Sequence, residues 1–279
     1  MSYKDFFKNW PIIGSKLKTP RVSVLRLSGV IAESGGRREN INLARFKDPI
    51  DKAFDVYNVS AVCLVINCPG GSPAQTALLS NYIKQKSKEK KIPIFAFVED
   101  VAASGGYWLA CAAEEIYTQD VSIVGSIGVI SASFGFDKLI AEYNISRRVH
   151  TSGKDKSFMD PFMPETAKDK TRLSDIQKDM HTHFIEWVKS RRGEKLKGTK
   201  SKLFEGGFWT AKTALELGLI DGVDDVYSFS KVKFGENVKF IDVTPEKGFV
   251  KSLFGVKSSI VQDVLAQIEE KEIWTRYGL

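Results

Sequence analysis

The stretch Ala61-Val62-Cys63-Leu64-Val65-Ile66-Asn67-Cys68-Pro69-Gly70-Gly71-Ser72 decides the fold. Its first six residues are continuously apolar and end in a Pro–Gly–Gly turn, which reads as a buried strand. Past the turn, Ala74, Ala77, Leu78 and Tyr82 recur at helical spacing until the lysine run KQKSKEKK at 84–91. The pattern repeats on either side. Upstream, Val22–Leu27 reads as a strand and Phe46–Tyr57 as a helix. Downstream, Ile92–Val98 reads as a buried strand with Pro93 near its start, and Ser104–Ala113 as a short buried helix. Ile116–Tyr117 and Ser122–Ala132 read as strands, the second broken by Gly125 and Gly128. Strands alternating with helices predict an α/β protein with a largely parallel sheet.

Beyond His150 the character changes. Residues 151–164 form a polar, proline-containing loop. A long helix follows, with Leu173, Ile176, Met180, Phe184 and Trp187 on one face, Thr166 as its cap and an end near Gly193. A shorter helix, Thr210–Leu217, stops at Gly218. Residues 224–246 fit neither period, Ile260–Trp274 reads as helical, and no internal repeat is present. The apolar final stretch EIWTRYGL, 272–279, is expected either to pack on the protein's own body or to lie as an extended strand in a substrate groove.

Composition excludes more than it selects. The 279 residues are 43% hydrophobic, enough for a sizeable core, and carry a formal charge of +7. The basic excess gathers in 84–91 and in 189–202, where lysines suit helix C-termini. No aromatics interleave these runs, which argues against nucleic acid. Three cysteines, Cys63, Cys68 and Cys111, make no disulfide framework and fit a reducing, cytoplasmic setting. His181 and His183 are two apart on a helix, about 200° around its axis, and make no metal face. No apolar run is long enough for a transmembrane helix. Phe6, Phe7, Trp10, Ile12 and Ile13 among lysines leave two uses open for the N-terminal segment 1–20: peripheral contact with a membrane, or packing against protein.

Two turns carry the chemistry. In the first, Gly70 and Gly71 let backbone N–H groups face a ligand at close range beside a helix N-terminus, which are the parts of an oxyanion hole. In the second, Ala102-Ala103-Ser104-Gly105-Gly106-Tyr107, a serine sits at a strand-to-helix turn, where α/β proteins form ligand sites. The Gly105 N–H follows directly. The same serine could be an ordinary helix cap. A nucleophilic serine needs a base. No histidine has an evident partnership with Ser104, and spacing alone does not choose among the lysines.

The ordered motifs NCPGGS (67–72), VAASGGYWLA (101–110), GSIGV (125–129), SGKDK (152–156) and FEGGFWTAKTALELGLID (204–221) resemble the signal peptide peptidase A family. The resemblance spans roughly Val22 to Val226 and is to the short, single-domain members. It implies a ClpP/crotonase-like fold of repeated β-β-α units, a peptidase domain over 21–226 and a C-terminal extension over 227–279. It implies a serine endopeptidase with a Ser–Lys dyad: Ser104 as nucleophile, Lys156 as general base with Lys154 as its rival, and Ser126 orienting the lysine amine. Gly105 with Gly70 or Gly71 would bind the oxyanion. Substrates would be peptides, such as signal-peptide remnants or small membrane or cytoplasmic polypeptides. No metal or cofactor is implied. A homo-oligomer is, with each site shared between protomers, in the cytoplasm and with contact to the inner membrane face left open. The family's usual N-terminal membrane anchor has no counterpart in this sequence. Cys68 stands where the family's turn commonly has serine, and a thiol there is expected to make the site sensitive to oxidation. Three other readings share the fold. A ClpP-like protease would need a histidine within Ser126–Ile130, where there is none. A crotonase-type acyl-CoA enzyme would need no activated serine, and an inactive scaffold would need none of the set.

Overall fold

The computed structural model describes residues 19–33, 40–153, 155–245, 271 and 273–279. The N-terminal segment 1–18, Lys154 and nearly all of the helix expected over 260–274 lie outside these. The first elements alternate as expected: β1 (Arg21–Ser28), α1 (Leu43–Asp55), β2 (Val59–Cys68), α2 (Pro73–Lys90), β3 (Ile94–Ala103) and α3 (Gly105–Ala110). Then come β4 (Glu115–Thr118), β5 (Ile123–Gly125), α4 (Asp137–Glu142) and the long α5 (Ala167–Arg192). The chain continues through α6 (Lys200–Phe204), β6 (Phe208–Thr210), α7 (Ala211–Glu216), β7 (Gly222–Val223), α8 (Val226–Phe234) and β8 (Lys239–Asp242).

Among the described residues one sheet runs β6-β5-β3-β2-β1-β8, with β4 and β7 branching from β3. Every pairing is parallel except β5 with β6. The branch arises along β3: its first half, Phe95–Val98, pairs with β4, and its second half, Val101–Ala103, pairs with β5. The sheet therefore splits where β3 ends, and that fork opens the site.

The continuous apolar run of β2 has a direct cause. Alternate residues serve two cores. Val62, Leu64 and Ile66 pack with Phe46 and Ile50 of α1, Leu79 and Ile83 of α2, and Tyr107 of α3. Ala61, Cys63 and Val65 face the other side, with Val22, Val24, Phe95, Phe97 and Phe229. A strand covered on both faces has no polar alternation to show. The second cover comes from residues 224–245, which resolve into α8 and β8. Phe229 of α8 lies against Phe95 and Phe97 at ring distances of 4.9 and 5.3 Å, and β8 pairs with β1.

Local signals set the helix ends. Ser72 caps α2, with Pro73 in its first turn, where a missing N–H costs nothing. Thr166 and Asp169 form a capping box on α5. At the other end of α5, buried Arg192 donates to Gly218 O (2.9 Å) and to Asp221 (2.6 Å). Asp221 also accepts from Lys195 and from the Ile116 N–H. This cluster pins the helix to the sheet.

Two expectations fail in detail. The strand from Ser122 ends at Gly125, because β6 covers only Ile123–Gly125 and Ser126 turns the chain away at φ 53°. The apolar face of α5 packs only at its C-terminal half: Phe184 and Val188 are buried, while Ile176 and Met180 are exposed. The segment from Ile130 to Thr166 stands off the body, and Ile130, Phe134, Leu139, Tyr143 and Ile145 are all exposed. No helix among the described residues is long and apolar enough to cross a membrane.

Candidate active site

Three strand ends converge at the fork, and each delivers one element of the site. At the end of β2, Gly70 and Gly71 have φ of 116° and 137°, where L side chains are strained. A Cβ on Gly70 would lie 2.9 Å from Ser104 Cβ, and one on Gly71 only 2.1 Å from Ile31 O. The turn is held by Ile31 N–H donating to Gly70 O (2.8 Å) and Ser72 N–H donating to Ile31 O (2.7 Å). Because the peptide between Gly70 and Gly71 is planar and trans, its N–H points opposite to the carbonyl that Ile31 engages. The Gly71 N–H thus turns away from Ile31, and Gly71 lines the cavity.

At the end of β3, Ser104 has φ 52° and ψ −120°. A non-glycine residue there stores about 1–3 kcal/mol of strain. The conformation is fixed by Ser104 N–H donating to Gly125 O (2.9 Å) and by Trp108 N–H donating to Ser104 O (3.0 Å). The Ser104 side chain makes no capping hydrogen bond to α3, so the ordinary helix-cap reading does not hold. Gly105, next in the chain, sits at the start of α3, where the helix provides no acceptor for its N–H. The bare Cα atoms of Gly70, Gly105 and Gly106 let the two turns interlock: a Cβ on Gly106 would strike Cys68 O at 2.1 Å.

At the end of β5, Ser126 is held in a left-handed conformation by its N–H donating to Gly207 O (2.7 Å). The next carbonyl, Ile127 O, accepts from Gly206 N–H (3.1 Å) and lies 3.3 Å from His181 Nε2. Ser104, Gly105, Gly71 and Ser126 line one cavity of about 760 Å³, whose apolar wall includes Trp108 and Phe184. Of the expected residues, the fold therefore brings together Ser104, Ser126, Gly71 and Gly105, with Gly70 as the packing partner of Ser104.

Lys156 is not among them. It is exposed, in the turn after Gly153, and is absent from the cavity lining. The turn is tied down by its neighbours: Asp155 pairs with Lys168 and, at 3.3 Å, with Arg172, and Arg147 pairs with Asp160 at 3.2 Å. His181 went unrecognised in the sequence, yet it lines the cavity beside Met180. Its place next to Met180 on an already assigned helical face was the available signal. Cys68 reverses its expectation. It is fully buried, burial pushes its thiol up to about 12, its S–H donates weakly to Gly70 O, and a thiol kept protonated and covered is inert to oxidation.

Residues 86–233 match the model of Peptidase family S49. The chain belongs to this family. Its fold is α/β with a largely parallel sheet, as expected from the sequence. A Brucella melitensis protein named Na(+)/H(+) antiporter NhaA is 43% identical over 272 residues, which make up 92% of this chain and 37% of that protein. The chain thus spans little more than a third of that relative. An Enterococcus faecium protein, a signal peptide peptidase SppA by name, is 26% identical over 264 residues, 91% of this chain and 76% of its own. Among solved structures, a mutant of the 1510-N membrane-bound stomatin-specific protease aligns with 82% of this chain and 99% of its own, at 18% identity and a TM-score of 0.49.

Proposed function

We propose that this S49 chain is a serine endopeptidase in which Ser104 attacks the peptide carbonyl and Lys156 is the general base. The observation that carries the reading is Ser104 itself: a strained serine with no capping bond, lining the same cavity as Gly105 and Gly71. A protein does not keep about 1–3 kcal/mol of strain at a serine unless the surroundings over-determine it. Neutral Lys156 takes the Ser104 proton as the Ser104 Oγ–carbonyl bond forms, and the oxyanion is held by Gly71 and Gly105. Lys156, now an ammonium, protonates the leaving amine as the C–N bond breaks. Water then attacks the acyl-enzyme, giving its proton to the same lysine, and Ser104 is regenerated. Ser126 orients the lysine amine.

Because Lys156 stands exposed outside the cavity of its own chain, we infer that a second copy supplies it, in a homo-oligomer whose sites are shared. The exposed aromatic and aliphatic residues between Ile130 and Met163 are surface such a neighbour would cover. The substrate class is peptides, such as signal-peptide remnants or small membrane or cytoplasmic polypeptides, met in the cytoplasm or at the inner membrane face. A crotonase-type acyl-CoA enzyme would use the same glycine donors but would leave the Ser104 strain without a purpose.

A fluorophosphonate probe should label Ser104. Lys156→Ala should lower peptide hydrolysis by about 10²–10⁴-fold, the usual share of general-base catalysis, while Lys154→Ala keeps most of it. A probe-silent Ser104 favours the acyl-CoA reading. An inactive Lys154→Ala beside an active Lys156→Ala would move the base to Lys154.

A further inference from the structure

Ile273, Arg276 and Tyr277 of the same chain line the cavity that holds Ser104. Tyr277 Oη lies 3.2 Å from Ser126 Oγ and donates to it. The Tyr277 ring meets Phe208 edge-on at 5.3 Å. Burial pushes the Tyr277 hydroxyl up, so it stays a neutral donor. The segment is not the extended strand expected of a groove ligand. Its backbone closes on itself as a helical turn: Tyr277 N–H donates to Trp274 O (3.0 Å), Gly278 N–H to Thr275 O (3.0 Å), and Gly278 takes φ 77°. A closed turn offers no extended backbone to a sheet edge or to Ser104, so the segment borders the site without being laid out for cleavage.

Resting on the peptidase reading above, we propose that residues 273–279 are a latch on the site. The Tyr277 hydroxyl engages Ser126 Oγ, the group that must orient the lysine amine. The single chain is thereby latent twice over: it lacks a lysine in the cavity, and the serine that would receive one is already taken. Lys156 of a second copy has to displace Tyr277 to reach Ser126, so assembly and unlatching are one event. A peptide substrate meets the same obstacle, because Ile273 and Arg276 share the cavity wall with Ser104.

Tyr277→Phe in the full chain removes the hydroxyl and keeps the ring on Phe208. It should raise kcat/KM for a peptide about two- to tenfold at dilute protein, the range one hydroxyl hydrogen bond supports. The gain should shrink as protein concentration rises and assembly competes the latch away. Tyr277→Ala should gain at least as much, and a synthetic peptide of residues 271–279 should inhibit it competitively, more strongly than the same peptide with Phe in place of Tyr277. If Tyr277→Ala loses stability, the Tyr277→Phe kinetics and the added peptide still decide the matter. A wild type that cleaves peptide, with Tyr277→Phe and Tyr277→Ala no faster, overturns the latch alone. Absence of both cleavage and Ser104 probe labelling in the wild type and both variants overturns the peptidase reading and the latch with it.

Discussion

The region from Val59 to Gly125 and the arm from Ile130 to Thr166 are built on opposite principles. In the first, Ala61–Ile66 are at most 3% exposed, and the turns after β2 and β3 are locked by glycines whose Cβ positions are already filled. In the second, Phe134 is 77% exposed and Tyr143 71%, and among its described residues only one helix of six residues, α4, with no buried residue, gives it regular structure. The first region holds the proposed nucleophile, Ser104, whose strained backbone needs a rigid frame. The second carries Lys156, in a turn held by the exposed pairs of Asp155 rather than by a core of its own. The proposed site thus divides along the boundary between what one chain can bury and what it cannot.

If that division is right, equivalent apolar truncations should behave differently on its two sides. Leu64→Ala, in a fully buried strand position, should cost about 2–5 kcal/mol of unfolding free energy. Ile145→Ala, on the arm, should change the dilute chain's stability by less than about 0.5 kcal/mol and instead weaken self-association in sedimentation. Denaturant melts of both variants provide the check. Equal losses would mean that the arm has a core, and the comparison would collapse.

Ion pairs sharpen the same contrast with a smaller effect. Burial pushes the Asp221 carboxyl up, but hydrogen bonds from Arg192, Lys195 and the Ile116 N–H pull it down further, and it ends below the usual carboxylate value. A carboxyl depressed on folding contributes stability at neutral pH that is lost as pH falls through its folded value, below about 4. Asp221→Asn should therefore cost about 3 kcal/mol at neutral pH and flatten the acid limb of the stability curve. Asp155→Asn, which breaks exposed pairs on the arm, should leave that curve unchanged. An acid limb that survives Asp221→Asn would assign the dependence to another carboxylate.

The sequence made the buried region legible and the exposed one much less so. Apolar runs ending in Pro–Gly–Gly or Ser–Gly–Gly give strand, turn and helix, because burial and positive φ leave few residue choices. Residues 224–245 were opaque because α8 covers a sheet face and β8 extends the sheet edge with scattered aromatics, Phe229, Phe234 and Phe240, rather than a clean period. The strand read past Gly125 failed for want of a pairing partner, which only the position of β6 reveals. Turns and motif order were enough to single out Ser104, Ser126 and Gly105, which line one cavity. The choice of Gly71 over Gly70 needed the hydrogen bonds of Ile31, forty residues upstream, and the cavity role of His181 needed the fork in the sheet.

The most direct test of a divided site is complementation. Ser104→Ala and Lys156→Ala are each expected to be inactive, because either loss breaks the single proton-transfer unit. Mixed under conditions of verified subunit exchange, they should regain a substantial fraction of wild-type peptide hydrolysis, since some interfaces will join an intact Ser104 to an intact Lys156. No recovery after demonstrated exchange would place both residues of each site in one chain and contradict the account.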